Sequence, residues 1–351
     1  MKDDKLRIGI THGDINGISY EIILKTLADT RINDFFTPIV YGSSKVAAFY
    51  RKHLNVENFS FNAINSADDA NPKRANMINI TADDIRVELG KITEMAGDAS
   101  VAALRAGVKD LKNHKIDAIV TCPINKSNIQ SGNYNFPGHT EFFASEFDVK
   151  DYMMLMISNT MRIGFVTSHI PLEDVSKTLS KDLIIHKIDI ITKSMIVDFM
   201  IHKPHIAVLA LNPHAGDNGL IGKEENKIII PAVDECKEKG MLVYGPYPAD
   251  GFFASAMFNQ FDAVLAMYHD QGMIPFKSLS YDGGVNYTAG LPVIRTSPTH
   301  GTAYDIAGEN KASIDSFREA LYMACKIYKN RTLHAELTAA PLKKVDPESI
   351  L

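Results

Sequence analysis

Three histidines in this 351-residue chain share one setting. His169, His214 and His269 each follow an apolar run by one to three residues, in MRIGFVTSHIP, HIAVLALNPHAG and FDAVLAMYHDQ. The chain holds twelve histidines, and the others fall mostly in helices, loops or strand starts. One strand-end histidine is more often a hydrogen-bonded structural residue than a ligand, so the recurrence carries the reading. Neutral imidazole is the commonest metal ligand in proteins. Three imidazoles with an open position make a catalytic divalent site, for zinc or a substitute. Such an ion binds a substrate hydroxyl, lowers its pKa and holds the developing alkoxide.

A second set of residues suits an anion. Lys277, Asn286 and Arg295 are spaced along FKSLSYDGGVNYTAGLPVIR, on what reads as loop or strand-end ground. Arg supplies a planar fork and Lys a point charge, which together with an amide fit a phosphate. Each alone equally suits a solvated surface, but Arg295 ends the buried run LPVIR, where an unpaired charge is costly. His139-Thr140 suits a substrate's polar end, and Lys126 stands just past an apolar run in TCPINK. Asp250 and Asp270 are candidates for orienting a metal-bound histidine or for moving a proton. Asp250 also reads as a helix N-cap before GFFASAMF.

The elements that must position these groups alternate between strand and helix. Leu6–Thr11, Thr37–Tyr41, Asp117–Thr121, His205–Leu211 and Phe261–Met267 read as buried strands. Helical spacing follows at 17–28, 44–53, 97–113, 181–200, 223–239 and 316–329. Tyr152–Ile157 and Met161–Thr167, split by Ser158-Asn159-Thr160, read as a hairpin, and 55–95 as short edge strands and loops. This alternation predicts an α/β fold. In such folds ligands bind outside the carboxyl ends of strands, which is where the histidines fall. Neither G-x-G-x-x-G nor a Walker motif occurs, which counts against an ordinary Rossmann dinucleotide site.

Composition narrows the class further. At this length two domains are expected, since single cores rarely exceed about 250–300 residues. A net charge of -5 argues against a nucleic-acid binder. Cys122, Cys236 and Cys325 lack metal or disulfide spacing, which suits a reducing cytoplasm. No apolar run reaches the ~20 residues of a membrane span, so no membrane partner is expected.

The motifs ITHGDINGIS-x-E, TCPINK, PGHTEFFA, LNPHAGDNGLIGKEE, GPYPAD-x-F, AMYHDQGMIPFK and NYTAGLPVIRTSPTHGTAYDIAG occur in order over roughly residues 8–310. Together they resemble the 4-hydroxythreonine-4-phosphate dehydrogenase family of the vitamin B6 pathway. HGTAYDIAG is also similar to the adenine-side loop of isocitrate and isopropylmalate dehydrogenases, which bind NAD(P) without a Rossmann fingerprint. The resemblance implies two α/β domains with a cleft between them. One would comprise 1–135 plus 305–351. The other, 136–304, would carry the metal histidines, the phosphate site and a homodimer interface.

The resemblance also implies roles. His169, His214 and His269 would ligate one divalent metal (zinc, magnesium or cobalt) at a site shared between two subunits. His139, Thr140, Lys277, Asn286 and Arg295 would contact a phosphorylated hydroxy-amino acid. His300, Gly301, Thr302 and Asp305 would line the NAD or NADP site. The implied reaction is oxidation of the C3 hydroxyl of 4-phosphohydroxy-L-threonine, followed by loss of CO2 to give 3-amino-2-oxopropyl phosphate. Asp250, Lys277 or a metal-linked water would act as base. A sibling activity on 4-phospho-D-threonate or D-erythronate 4-phosphate would use the same metal and phosphate sites. The chain departs from the family's usual GDPAGIGPE loop, reading Gly13-Asp14-Ile15-Asn16-Gly17-Ile18-Ser19-Tyr20-Glu21 instead.

Overall fold

A computed structural model describes residues 5–56, 58–82, 84–129, 136, 138–280 and 283–340. The described residues form one twelve-stranded sheet covered by helices on both faces, which bears out the α/β class. The first half contributes β1 (Arg7–Thr11), α1 (Ser19–Leu27), β2 (Thr37–Gly42), α2 (Ser44–His53), β3 (Asn62–Ile64), β4 (Asn76–Asn79), α3 (Glu94–Lys112) and β5 (Ala118–Thr121). Then come α4 (His139–Glu146), β6 (Met153–Ile157), β7 (Arg162–Phe165), α5 (Leu172–Thr178), α6 (Lys181–Val197), β8 (Ile206–Leu209) and α7 (Ile230–Glu238). The chain closes with β9 (Val243–Tyr247), α8 (Ala249–Ala254), β10 (Ala263–Ala266), α9 (His269–Leu279), β11 (Val285–Ala289), β12 (Ile294–Pro298) and α10 (Asp315–Thr338).

Strand order across the sheet is β3-β4-β2-β1-β5-β12-β11-β6-β7-β10-β8-β9. Two parallel blocks, β3 to β12 and β7 to β9, run in opposite senses. Antiparallel pairings of β12 with β11, β11 with β6 and β6 with β7 join them. Buried strands in parallel blocks have helices on both faces and read as continuous apolar runs. That is the character of IGI in β1 and AVLA in β10, whose residues are fully or almost fully buried. The 152–167 hairpin and the short edge strands of the 55–95 segment appear as expected. The boundary near 135 and the tail from 341 fall on residues outside those described.

Two local readings change. The helix expected over 223–239, with an interruption at Pro231, begins as a π-helical turn (Glu225–Ile229) that passes directly into α7, whose first turn holds Pro231. Proline lacks the N–H that an interior helical position donates, and a first turn needs none. Lys277 stands on α9 rather than on a loop. Gly272 and Pro275 disguise this helix in the sequence. A Cβ at Gly272 would lie 2.7 Å from Ile163 and 2.8 Å from Phe165, so the glycine lets α9 press onto β7.

Candidate active site

The floor of the site follows from the two-residue period of its strands. Residues paired directly across neighbouring strands share a face. Met156 pairs with Asn286, Met154 with Thr288, Asn286 with Ser297, and Arg295 with Ile119. Alternation along β5 and β12 then adds Thr121 to the same face. A band of Thr121, Arg295, Ser297, Asn286, Thr288 and the two methionines therefore crosses the middle of the sheet. The sequence reading placed Arg295 and Asn286 at strand ends, whereas they stand within strands at the antiparallel centre.

Above this floor lies a cleft of about 290 Å³, lined by Thr121, Lys126, His139, Met154, Met156, His169, His269, Lys277, Asn286, Arg295, Ser297, His300 and Gly301 among others. Arg295 is 2% exposed. Its Nε and Nη2 donate to Thr121 Oγ1 at 3.1 and 2.8 Å, and its Nη1 to Thr288 Oγ1 at 3.3 Å. These hydroxyls fix the direction of the guanidinium.

Helix α4 forms one wall. Phe142 and Phe143, both fully buried, anchor it, and each contributes roughly 1.5–3 kcal/mol. This holds His139 at the cleft, with Thr140 buried beside it. Burial, together with the positive charges of Arg295 and Lys126, holds His139 well below the usual imidazole range. Its ring is therefore neutral, and its buried Nε2 has no hydrogen-bond partner among the described residues. Asn286 Oδ1 and His300 Nε2 are likewise buried without partners. Buried polar atoms in native structures are nearly always satisfied. Three such atoms on residues lining one cleft mark it as built for a ligand.

The opposite wall carries two imidazoles. His169 follows β7, the strand next to the floor's β6, and His269 opens α9 after β10, the strand beyond it; their ring centroids are 6.0 Å apart. Each Nδ1 meets a carboxylate, His169 with Glu141 Oε1 at 3.3 Å and His269 with Asp270 Oδ1 at 2.6 Å. Burial pushes the Glu141 carboxyl up, but the contact with His169, with help from its own backbone N–H and Lys126, leaves it lowered. The pair also lines a second hollow of about 440 Å³ with Ile170, Leu172 and Tyr268. The sequence reading gives Glu141 no role, although it belongs to PGHTEFFA. No spacing rule signals that it reaches a histidine 28 residues away.

Not every candidate converges here. His214 is exposed on a short turn after β8 in which His214, Ala215, Asp217 and Asn218 all have positive φ. Among the described residues no three histidine, cysteine or acidic side chains gather as a metal site. Asp250 is exposed in the first turn of α8, which Pro248 caps, so it is not the N-cap. His300 and Gly301 line the cleft, but Thr302 and Asp305 do not. Thr302 instead accepts a hydrogen bond from the Ile18 N–H through its backbone oxygen. A larger cavity of about 790 Å³ opens between α6, α10 and Gly290–Pro292. Its Arg331 is occupied by Asp198, Tyr287 and backbone carbonyls, and among the described residues its lining holds no comparable set of orphaned groups.

A mixed sheet bearing a cationic cleft and a carboxylate-held imidazole pair defines an α/β enzyme for small anionic substrates. The profile of the family described as "Pyridoxal phosphate biosynthetic protein PdxA" matches residues 34–324. A 4-hydroxythreonine-4-phosphate dehydrogenase from Bacteroides thetaiotaomicron is 49% identical over 345 residues, covering 98% of this chain and 94% of its own length. An Oceanobacillus iheyensis protein named "Putative D-threonate 4-phosphate dehydrogenase" is 37% identical, covering 91% of this chain and 97% of its own length. The crystal structure of 4-hydroxythreonine-4-phosphate dehydrogenase from Klebsiella pneumoniae superposes with a TM-score of 0.80 at 34% identity, covering 93% of this chain and 99% of that one. The chain belongs to the PdxA family of pyridoxal phosphate biosynthetic oxidoreductases.

Proposed function

We propose that this chain oxidises the C3 hydroxyl of 4-phosphohydroxy-L-threonine with NAD or NADP. The resulting β-keto acid loses CO2 to give 3-amino-2-oxopropyl phosphate, within pyridoxal 5'-phosphate biosynthesis. One observation carries the reading: a single cleft brings Arg295, Asn286, Lys277 and His139 together with two carboxylate-held imidazoles. The name of the 49% identical relative supports the same substrate.

The donor chemistry suits a divalent ion. With each Nδ1 engaged by a carboxylate, Nε2 of His169 and of His269 is left as the ligating nitrogen, the usual carboxylate–histidine–metal arrangement. Such an ion, zinc, magnesium or cobalt, supplies Lewis acidity at a substrate hydroxyl when bound. His214 of the partner subunit is the third ligand in this reading. Exposed aliphatic side chains support a second copy at this wall: Leu172 is 72% exposed, Leu220 81% and Ile274 64%. Each belongs to a segment that also carries one of the three histidines, and large exposed apolar groups mark association surfaces. His214 and Asp250 follow the adjacent parallel strands β8 and β9. A copy that delivers His214 of the partner subunit therefore delivers Asp250 of the partner subunit as well.

Within the cleft Arg295 offers its fork and Lys277 its charge to the phosphate, with Asn286 and Thr140 as neutral partners. Neutral His139 adds a hydrogen bond without adding charge. The C3 hydroxyl proton passes to Lys277 or to Asp250 of the partner subunit. The nicotinamide supplies the hydride acceptor. Its side of the cleft is the His300–Asp305 segment, where His300 Nε2 is orphaned and a Cβ on Gly301 would meet nothing within 4 Å. The reading keeps two α/β units, 1–135 plus 305–351 and 136–304, facing each other across the cleft in a cytoplasmic homodimer.

The relative named for D-threonate 4-phosphate favours a second reading, in which C2 carries a hydroxyl in place of the amine. The test is NAD(P)H formation and CO2 release from 4-phosphohydroxy-L-threonine and from 4-phospho-D-threonate, each with and without a chelator. Chelator-sensitive turnover that favours the amino acid phosphate supports the first reading. Preference for the hydroxy acid replaces it with the second, and turnover of neither removes both.

A further inference from the structure

Asp14 does not line the cleft, yet its side chain is fully buried. Its carboxylate accepts three hydrogen bonds, from the Tyr304 hydroxyl at 2.7 Å, the Asn128 side-chain amide at 2.9 Å and the Asn16 backbone N–H at 2.9 Å. Asn128 lies two residues past Lys126, and Tyr304 three residues past Gly301. Both lips of the cleft are thus tied to one carboxylate. The backbone repeats each tether. Asp14 N–H donates to the Pro123 carbonyl at 2.8 Å, and Ile18 N–H to the Thr302 carbonyl at 3.0 Å. The approach is so close that a Cβ on Gly13 would lie 2.3 Å from the Pro123 oxygen and one on Gly17 2.5 Å from the Thr302 oxygen. Gly13 also has φ +65°, a conformation other residues rarely adopt.

The loop is braced from behind. Asn16, buried where the resembling family usually has alanine, donates to the Lys91 carbonyl and Thr93 Oγ1 and accepts from the Glu88 N–H. Three donors converge on the two oxygens of Asp14. An amide there would set its own N–H groups against Asn16 or against Asn128 and Tyr304, whichever way it turned.

We infer that Asp14 is a positioning residue for dinucleotide binding, fixing the His300–Thr302 lip against the 121–126 lip without touching the cofactor. The inference rests on the reading of His300–Asp305 as the nicotinamide nucleotide's side. The test measures NADH and NADPH binding by calorimetry, KM for the phosphorylated substrate, and thermal midpoint. It compares the wild-type enzyme with Asp14→Asn, Tyr304→Phe and the double variant. Tyr304→Phe removes one hydroxyl and keeps the ring, so it remains informative should Asp14→Asn fold poorly.

Each single variant is expected to weaken dinucleotide binding by about tenfold. The double variant should be no weaker than Asp14→Asn, because both act through one contact. KM for the phosphorylated substrate should stay within about twofold. Unchanged dinucleotide affinity in Tyr304→Phe, or an equal rise in both constants, overturns the inference. A wild-type enzyme that binds neither dinucleotide overturns the cofactor reading and this inference together; variants that bind as the wild type does overturn this inference alone.

Discussion

His169 and His269 stand with ring centroids 6.0 Å apart, each with its Nδ1 against a carboxylate. The pairing comes from neighbouring parallel strands, β7 and β10, whose chains leave the sheet side by side. Loss of either ring leaves two of the three proposed ligands, one of them His214 of the partner subunit, and an incomplete set holds a divalent ion weakly. His169→Ala and His269→Ala should each lower zinc affinity by at least about 100-fold and abolish turnover, with circular dichroism unchanged. Equilibrium dialysis with zinc checks this; wild-type affinity in either variant removes that residue from the metal site.

Arg295 contributes differently. Its guanidinium is held by Thr121 and Thr288 across three adjacent strands. Arg295→Ala should raise KM for the phosphorylated substrate by about 100-fold, the scale of a lost charge-assisted pair. Arg295→Lys should restore only part of it, because lysine lacks the fork. Steady-state kinetics reads both, and an unchanged KM in the alanine variant contradicts the phosphate role.

A third expectation concerns pH. His12 is fully buried, and burial pushes its pKa from 6.5 down to about 4. The unfolded chain binds more protons between those values, so the contribution is complete above about 6.5 and is lost as the pH falls toward 4. The size is roughly 3 kcal/mol. Urea unfolding at pH 7 and pH 5 should show a drop in wild type that His12→Gln reduces. Equal drops in the two proteins would show that other groups dominate.

Gly272 links packing to the site. Its missing Cβ admits Ile163, Phe165 and Ala266 beneath α9, the helix that carries His269 and Lys277. Gly272→Ala should cost about 1–3 kcal/mol, the usual scale of overpacking. It should also lower activity by displacing both residues. Denaturant midpoints and turnover check this together; a variant as stable and active as wild type means α9 accommodates the methyl group.

Much of this architecture is legible in the sequence. Alternating strand and helix patterns, the hairpin around Ser158-Asn159-Thr160, and strand-end positions for His169 and His269 follow from local periodicity. The cleft floor does not. Arg295, Asn286 and Met156 share a face only because β12, β11 and β6 pair across long sequence separations, and local spacing carries no record of pairing. Helix α9 was hidden because Gly272 and Pro275 usually break helices, and here tertiary packing overrides that preference. The Glu141–His169 contact and the distance of His214 from the pair are likewise tertiary facts.

The central claim is that one ion is held by His169 and His269 of one chain and His214 of the partner subunit. Mixing inactive His169→Ala with inactive His214→Ala, followed by subunit exchange, tests it through NAD(P)H formation from 4-phosphohydroxy-L-threonine. A shared site predicts recovery of about a quarter of wild-type activity, since half the dimers are mixed and each holds one intact site. A mixture no more active than its two parents would place all three histidines within one chain's site and contradict the account.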